Sequence, residues 1–513
     1  MNMKSTTTSC VKVSIKQEDS SNNNEDTLNK LSGFKAYAVA ISAILGAGVL
    51  YMHAGIFTGG ILAWVIGVGV CALSSFYISQ AVYRKMRHIE EEKAKWEKEK
   101  EALRVQNYFA LNKTLDTTDD SNEKMAVDYP GLIGTGSPVI QKLLSFSIGF
   151  QGAASLIIYM GLLFIWSADI IKFLTPADWI DTTKQNVIIY AVSGLIVLVC
   201  GKHAIKRPGK DSKVITTLSA LCIAVLFGIV LSMLLLIIFN PNTASNTPET
   251  FTSESVKGLA AGVHFPSLSF ISGTASMLFA LCSHQNIPIY QSKMQAKRKR
   301  TLVSVAFGAL VIMGLFFLGI GAIGYFVVYN PVNASNPSYS PKDILSELSQ
   351  ILSDPSGSKV NSSLQSIFKW LIAGIKLSMF PVLINAFMWQ SITYRTVLLS
   401  ALKRPIKKHT GQSDKSSGVI VTAGIIITAI TFLVVLLPIN LNDVIVIVGG
   451  AATSFIVLFV PAYLIITKKI KKSDKLAWYD WVAAAILLSA FVGLFSYVVI
   501  YGTIEKVVAA TNV

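Results

Sequence analysis

Apolar runs of about twenty residues recur along this chain and leave few folds open to it. Eleven can be read, at about 34–54, 57–82, 140–168, 186–201, 214–239, 266–290, 301–328, 367–393, 418–438, 443–467 and 478–502. Hydrocarbon offers backbone N–H and C=O groups no partner, so a lipid-exposed segment must cross as a helix or as a strand in a closed barrel. Barrel strands need only about ten residues. Runs twice that length read as helices. Composition agrees: of 513 residues, 52% are hydrophobic and 14% charged, where a soluble domain carries about 25% charged residues. The expected fold class is an all-α polytopic membrane protein with eleven transmembrane helices.

The formal charge of +16 would suggest nucleic acid in a soluble chain. Here the basic residues lie between spans, so nucleic acid is not an expected partner and the lipid bilayer is. YRKMRH follows span two, GKHAIKRPGK span four, KMQAKRKR span six, LKRPIKKH span eight and TKKIKK span ten. With eleven spans all five fall on one side, which the positive-inside tendency makes cytosolic. The N-terminus is then cytosolic. Residues 1–32 are polar and read as a disordered cytosolic N-terminus, and 33–503 as the membrane domain. Within it, 84–128 is a charged cytosolic loop whose EEEKAKWEKEKEALR stretch suits a solvated helix. Residues 330–366 form an extracytosolic loop with glycosylation triplets at Asn333 and Asn361; the match at Asn112 falls on the cytosolic side. Cys10 alone of the five cysteines lies outside a span, which gives neither a disulfide framework nor a zinc site.

Two spans are poor continuous helices. Residues 42–50 read SAILGAGVL, and a Gly-Ala-Gly step weakens a helix and uncovers its backbone. Span six carries Ser272, Gly273 and Thr274, then Cys282-Ser283-His284-Gln285-Asn286 before Pro288. Broken helices at membrane depth are tolerated where they line protein or a cavity. Spans one and six hold corresponding positions if the chain is a 5+5 inverted repeat plus one helix. In many secondary transporters such broken helices hold the substrate.

At these residues the chain resembles the amino acid/auxin permease family of the amino acid–polyamine–organocation superfamily. SAILGAGVL is similar to the family's first-helix signature and FALCSHQNIPIYQSKM to its sixth. LPINLNDVIVIVGGAATSFIVLFVPAYL resembles its tenth-helix region, with Asp443, Gly449, Gly450 and Pro461 in characteristic places. The resemblance implies a LeuT-like fold and transport of amino acids with sodium or protons. Many members carry asparagine where this chain has Ser42. Serine reaches less far, which departs from the ion site of the sodium-coupled members.

A zwitterion held away from water needs donors for its carboxylate and acceptors for its ammonium. Backbone N–H groups around Gly46, Ala47 and Gly48 are the candidate donors, with Ser42 and Leu45 beside them. Carbonyls of Phe279, Ala280 and Cys282 are the candidate acceptors, with Ser283 adjoining. The candidates for ion coupling are Ser42, His284, Lys376 and Ser378. Histidine titrates near neutrality, although a hydrogen-bonded structural histidine at a gate fits His284 as well. Lys376 lies deep in span eight, where a lysine must snorkel, pair or face a cavity; its ammonium is also a candidate stand-in for a bound cation. Ser378 resembles a hydroxyl position that helps hold sodium in related members. Asp169 reads as an interfacial charge and Asp443 as a cap on span ten. Trp166, Trp370 and Trp478, near span edges, read as an aromatic belt.

No catalytic triad, phosphate loop or metal cluster points to an enzyme, and no cofactor is expected beyond Na+ or H+ as a coupling ion. The expected function is secondary active transport of an amino acid by alternating access. The chain is expected to work as a monomer, in the plasma membrane or a vacuolar or lysosomal membrane. A carrier of polyamines or other organic amines, and an amino acid-sensing receptor, are the alternatives.

Overall fold

The computed structural model describes residues 37, 40–41, 44, 47–110, 137–175, 181–205, 212–239, 253–263, 269–287, 294, 300–328, 342–353, 362–410, 417–437, 440–467 and 477–498. Nearly all of these are helical. A 3-10 turn, Ala47–Tyr51, leads into α1, Met52–Ala110. Gly60, at φ 64°, breaks α1 into the outgoing end of span one and the whole of span two. Only glycine adopts that conformation without strain, and a Cβ there would strike the backbone at Ala261 and Gly262. Past the membrane α1 runs on to Ala110, so the first part of the expected charged loop is helix, with Arg87 and Glu91 paired one turn apart at 2.7 Å.

Ser137 caps α2, Pro138–Leu174, by accepting from Ile140 N, and Pro138 fills a first-turn position that lacks a helical partner anyway. Then come α3, Thr182–Ile205, α4, Ser212–Phe239, and the short α5, Ser253–Ala261. Span six is α6, Ser269–Leu281, followed by a break at Cys282 and Ser283 and a 3-10 turn, His284–Asn286. Span seven is α7, Leu302–Val328. Helix α8, Ile344–Ser353, buries Ile344, Leu345, Glu347 and Leu348 and leaves Gln350 exposed. Span eight is α9, Ser362–Thr410, and span nine α10, Ser417–Val435. Span ten is composite: α11, Leu441–Val448, two π turns, Gly449–Thr453 and Phe455–Phe459, and α12, Val460–Ile466. The last is α13, Trp478–Ser496.

Seven described segments are long and apolar enough to cross a membrane, and two shorter apolar helices, Leu221–Leu236 and Val421–Val435, stand at spans five and nine. Span six is the broken α6, and most of span one lies outside the described residues. Large apolar side chains such as Phe146, Tyr190, Leu198 and Leu315 point outward, as lipid-facing helices require. The protein is an integral membrane protein by these features.

The helices pack in two groups. In one, α1 lies against α6 and α7; in the other, α9 lies against α2 and α3, and α10 against α3 and α2. Arg395 of α9, buried, donates to the Ala204 carbonyl near the end of α3, where a cation meets the negative end of a helix.

Two expectations need correction. Span ten is capped by Asn440, whose side chain accepts from Asn442 N at 3.0 Å, and Asp443 lies within the first turn, three residues past the cap. Trp166 is fully buried and donates to Asp343 Oδ1 at 3.1 Å, so it is no belt residue; Trp370 and Trp478 are exposed. Asn333, Asn361, Asn112 and residues 1–32 lie outside the described residues, while part of the 330–366 loop is helix α8.

Candidate functional site

The 3-10 turn of span one meets α6 just before its break. A Cβ on Gly48 would stand 2.6 Å from both Cα and Cβ of Ala280, closer than carbon atoms approach. The absent side chain at 48 therefore lets the two backbones touch. Ala47 and Gly48 open the turn; Phe279 and Ala280 close α6; Cys282 and Ser283 form the break; all but Ala47, whose side chain is not described, are buried. Ser42, Leu45 and Gly46 lie outside the described residues.

The backbone there is poorly satisfied by its own helices. Cys282 N reaches Phe279 O over a long 3.4 Å, and the chain regains regular bonding only at Asn286 N to Ser283 O, 2.9 Å. An ending helix leaves carbonyls without intrahelical partners, and α6 ends here against the span-one turn.

Side chains beneath the break are polar and buried. Cys282 Sγ lies 3.6 Å from Gln285 Oε1 and 3.9 Å from Gln151 Oε1, so α2 joins the site through an amide the sequence reading passed over. A glutamine in the middle of an apolar span was the available signal. Nearby on the same helix, Tyr159 is hydrogen-bonded to Gln390 of α9. His284 is fully buried, with Nε2 2.9 Å from Ser75 Oγ of α1. The first π turn of span ten backs α6: a Cβ on Gly449 would collide with the Ala275 carbonyl. π turns shift a helix's side-chain register and are frequent at functional sites. The period of apolar residues does not reveal them.

Lys376 and Ser378 stand elsewhere. Ser378 donates to Gly374 O of its own helix at 2.8 Å. Lys376 is 2% exposed, and its ammonium lies 2.7 Å from Asp169 Oδ2 and 3.2 Å from Ser349 Oγ of α8. These groups wall a cavity of about 800 Å³ at the end of the bundle away from the Lys/Arg-rich connections, which Tyr51, Asp343, Ser346, Gln350 and Asn440 also line. Asp343 accepts from Trp166 and from Ser346 N. Burial pushes its carboxyl above the usual carboxylate range, against the opposing pull of Ser346 and Lys376.

No family model matches the chain, and no curated protein does. Among solved structures it is similar to MhsT in complex with L-phenylalanine, at 13% identity and a TM-score of 0.51, over 91% of this chain and 99% of that one. It is also similar to the Eremococcus coleocola manganese transporter, solved with an aromatic bis-isothiourea substituted compound, at 14% identity and a TM-score of 0.46, over 94% of this chain and 88% of that one. The first likeness shows the fold, which is the all-α, LeuT-like architecture.

Proposed function

We propose that this protein is a secondary active transporter of amino acids that works by alternating access, and a member of the amino acid/auxin permease family. The observation that carries the reading is the contact of the span-one turn with the end of α6, Gly48 on Ala280. Two helices interrupted at one place present free backbone donors and acceptors to a zwitterion. The substrate carboxylate binds the N–H groups around Gly46, Ala47 and Gly48, and the ammonium binds carbonyls of Phe279, Ala280 and Cys282. Support for the substrate class comes from MhsT, which was solved holding L-phenylalanine.

Transport is coupled to Na+ or H+, with Ser42, His284, Lys376 and Ser378 as the coupling candidates. The protein works as a monomer in the plasma membrane or a vacuolar or lysosomal membrane, with a cytosolic N-terminus. Opposed motion of the α1, α6, α7 group and the α2, α3, α9, α10 group exposes the site to each side in turn.

Uptake of radiolabelled amino acids into proteoliposomes, with sodium and pH gradients imposed separately, tests this. At least one amino acid is expected to accumulate above equilibrium under one gradient and to leak out when an ionophore collapses it. Failure of every amino acid under both gradients would overturn the reading.

A further inference from the structure

Tyr51, which ends the span-one turn, lines the cavity beside Lys376, and the substrate contacts proposed above make no use of that cavity. Four lysines line it, Lys172, Lys342, Lys369 and Lys376, against two aspartates, Asp169 and Asp343. Among the described residues Lys376 and Asp169 form an ion pair, and Lys342 Nζ donates to Gln350 Oε1 at 3.2 Å. Lys172 and Lys369 form no ion pair among the described residues. The wall therefore holds two positive charges more than it neutralises.

One of these cations is built in. Lys376 is almost wholly buried, while its partner Asp169 keeps 39% of its side chain exposed. An ammonium taken out of water holds on to any anionic group within reach. A cleft with a net positive wall and apolar sides also concentrates counterions. Ile165, Ile170, Phe173, Ile372 and Leu441 supply those walls. Neutral donors and acceptors complete the lining: Ser346, Ser349 and Gln350 from the lid helix α8, Tyr51 from span one, and Asn440 from span ten.

We propose that this cavity is a binding site for a compact monovalent anion, a halide or a free carboxylate group. The anion shares the Lys376 ammonium with Asp169 and draws on Lys369 and Lys172 at the rim. Because Ser349 of α8 already touches Lys376, an occupant also ties the lid helix to α9 and α2.

The test uses the purified full-length protein in detergent and follows thermal unfolding. Chloride or acetate is titrated in at constant ionic strength against a bulky sulfonate buffer salt. Saturable stabilisation by either anion is expected. Chloride alone marks a halide site and acetate alone a carboxylate site, and both outcomes uphold the proposal. Lys376→Met is expected to abolish the effect. Since that change also strips Asp169 of its partner, the exposed pair is tested too: Lys172→Gln with Lys369→Gln should weaken half-saturation about three- to tenfold, as expected for two partly solvated charges. No saturable effect from either anion, or an unchanged half-saturation in the double variant, would overturn it. Uptake is not the readout, so the outcome stands apart from that of the transport experiment.

Discussion

At the scale of single residues, the Lys376–Asp169 pair is asymmetric, and this decides which substitution does more harm. Asp169→Asn leaves an ammonium that is 2% exposed with Ser349 as its remaining near hydrogen-bond partner and the Asp343 carboxyl, in the same cavity wall, still acting on it. Loss of one member of a buried pair costs about 3–5 kcal/mol. Asp169 is itself half in solvent, so the pair is worth less than a fully buried one, and about 2–3 kcal/mol is expected. Lys376→Met removes the buried charge and keeps most of its volume, and leaves a carboxylate that water reaches; about 1 kcal/mol or less is expected. Unfolding midpoints in detergent should therefore fall further for Asp169→Asn than for Lys376→Met. The reverse order would mean that the ammonium finds another anion. The sequence showed that Lys376 was deep and had to pair, snorkel or face a cavity. It did not show the partner, because Asp169 lies 207 positions away and meets Lys376 only through the packing of α2 on α9.

Elements were more legible than pairings. Hydrophobic run length found the helices, because hydrocarbon enforces it. Polar residues marked the break in span six, and the boundary between spans one and two, drawn at 54–57, appears as the positive φ of Gly60. What stayed hidden has no periodic signature. The two π turns of span ten look like any apolar helix in sequence, and Trp166 near the edge of a span looked like a belt residue until its partner Asp343 was seen. Two glycines of α1 separate turn chemistry from mere tolerance. At Gly60 an alanine would take a conformation, φ 64° and ψ −169°, that is essentially confined to glycine and costs about 1–3 kcal/mol, before any clash with Ala261 and Gly262. Gly69 has nothing within 4 Å of a Cβ and lies within a continuous helix, so alanine there should be neutral or gain about 0.4–1 kcal/mol. Gly60→Ala is thus expected to lower the unfolding midpoint clearly, and Gly69→Ala to leave or raise it. Equal effects would refute the assigned turn.

For the whole molecule, the packing separates two groups of helices that touch around the break in span six, and transport requires that they move past each other. Gln151 of α2 and Cys282 at the end of α6 face each other across that boundary, with Sγ 3.9 Å from the amide oxygen. Gly152 of α2 and Tyr394 of α9 lie within one group, where a Cβ at 152 would stand 3.2 Å from Tyr394 Cβ. The second placement is near the separation a disulfide spans, about 3.5–4.5 Å between Cβ atoms, whereas the first is a contact of side-chain ends, so a cysteine at 151 needs a short spacer to reach Cys282. In a background where the other four of the five cysteines are replaced, Gln151→Cys is expected to be linked to Cys282 by a short bis-methanethiosulfonate reagent. Uptake should then stop and return on reduction. In a background that lacks all five, Gly152→Cys with Tyr394→Cys staples two helices that travel together, so uptake should survive oxidation. A thiol at 151 alone does not mimic the block, because the reduced variant is measured in the same vesicles. Full uptake by the cross-linked Gln151→Cys protein, with the link verified, would show that α6 and α2 need not separate, and the two-group motion would have to be abandoned.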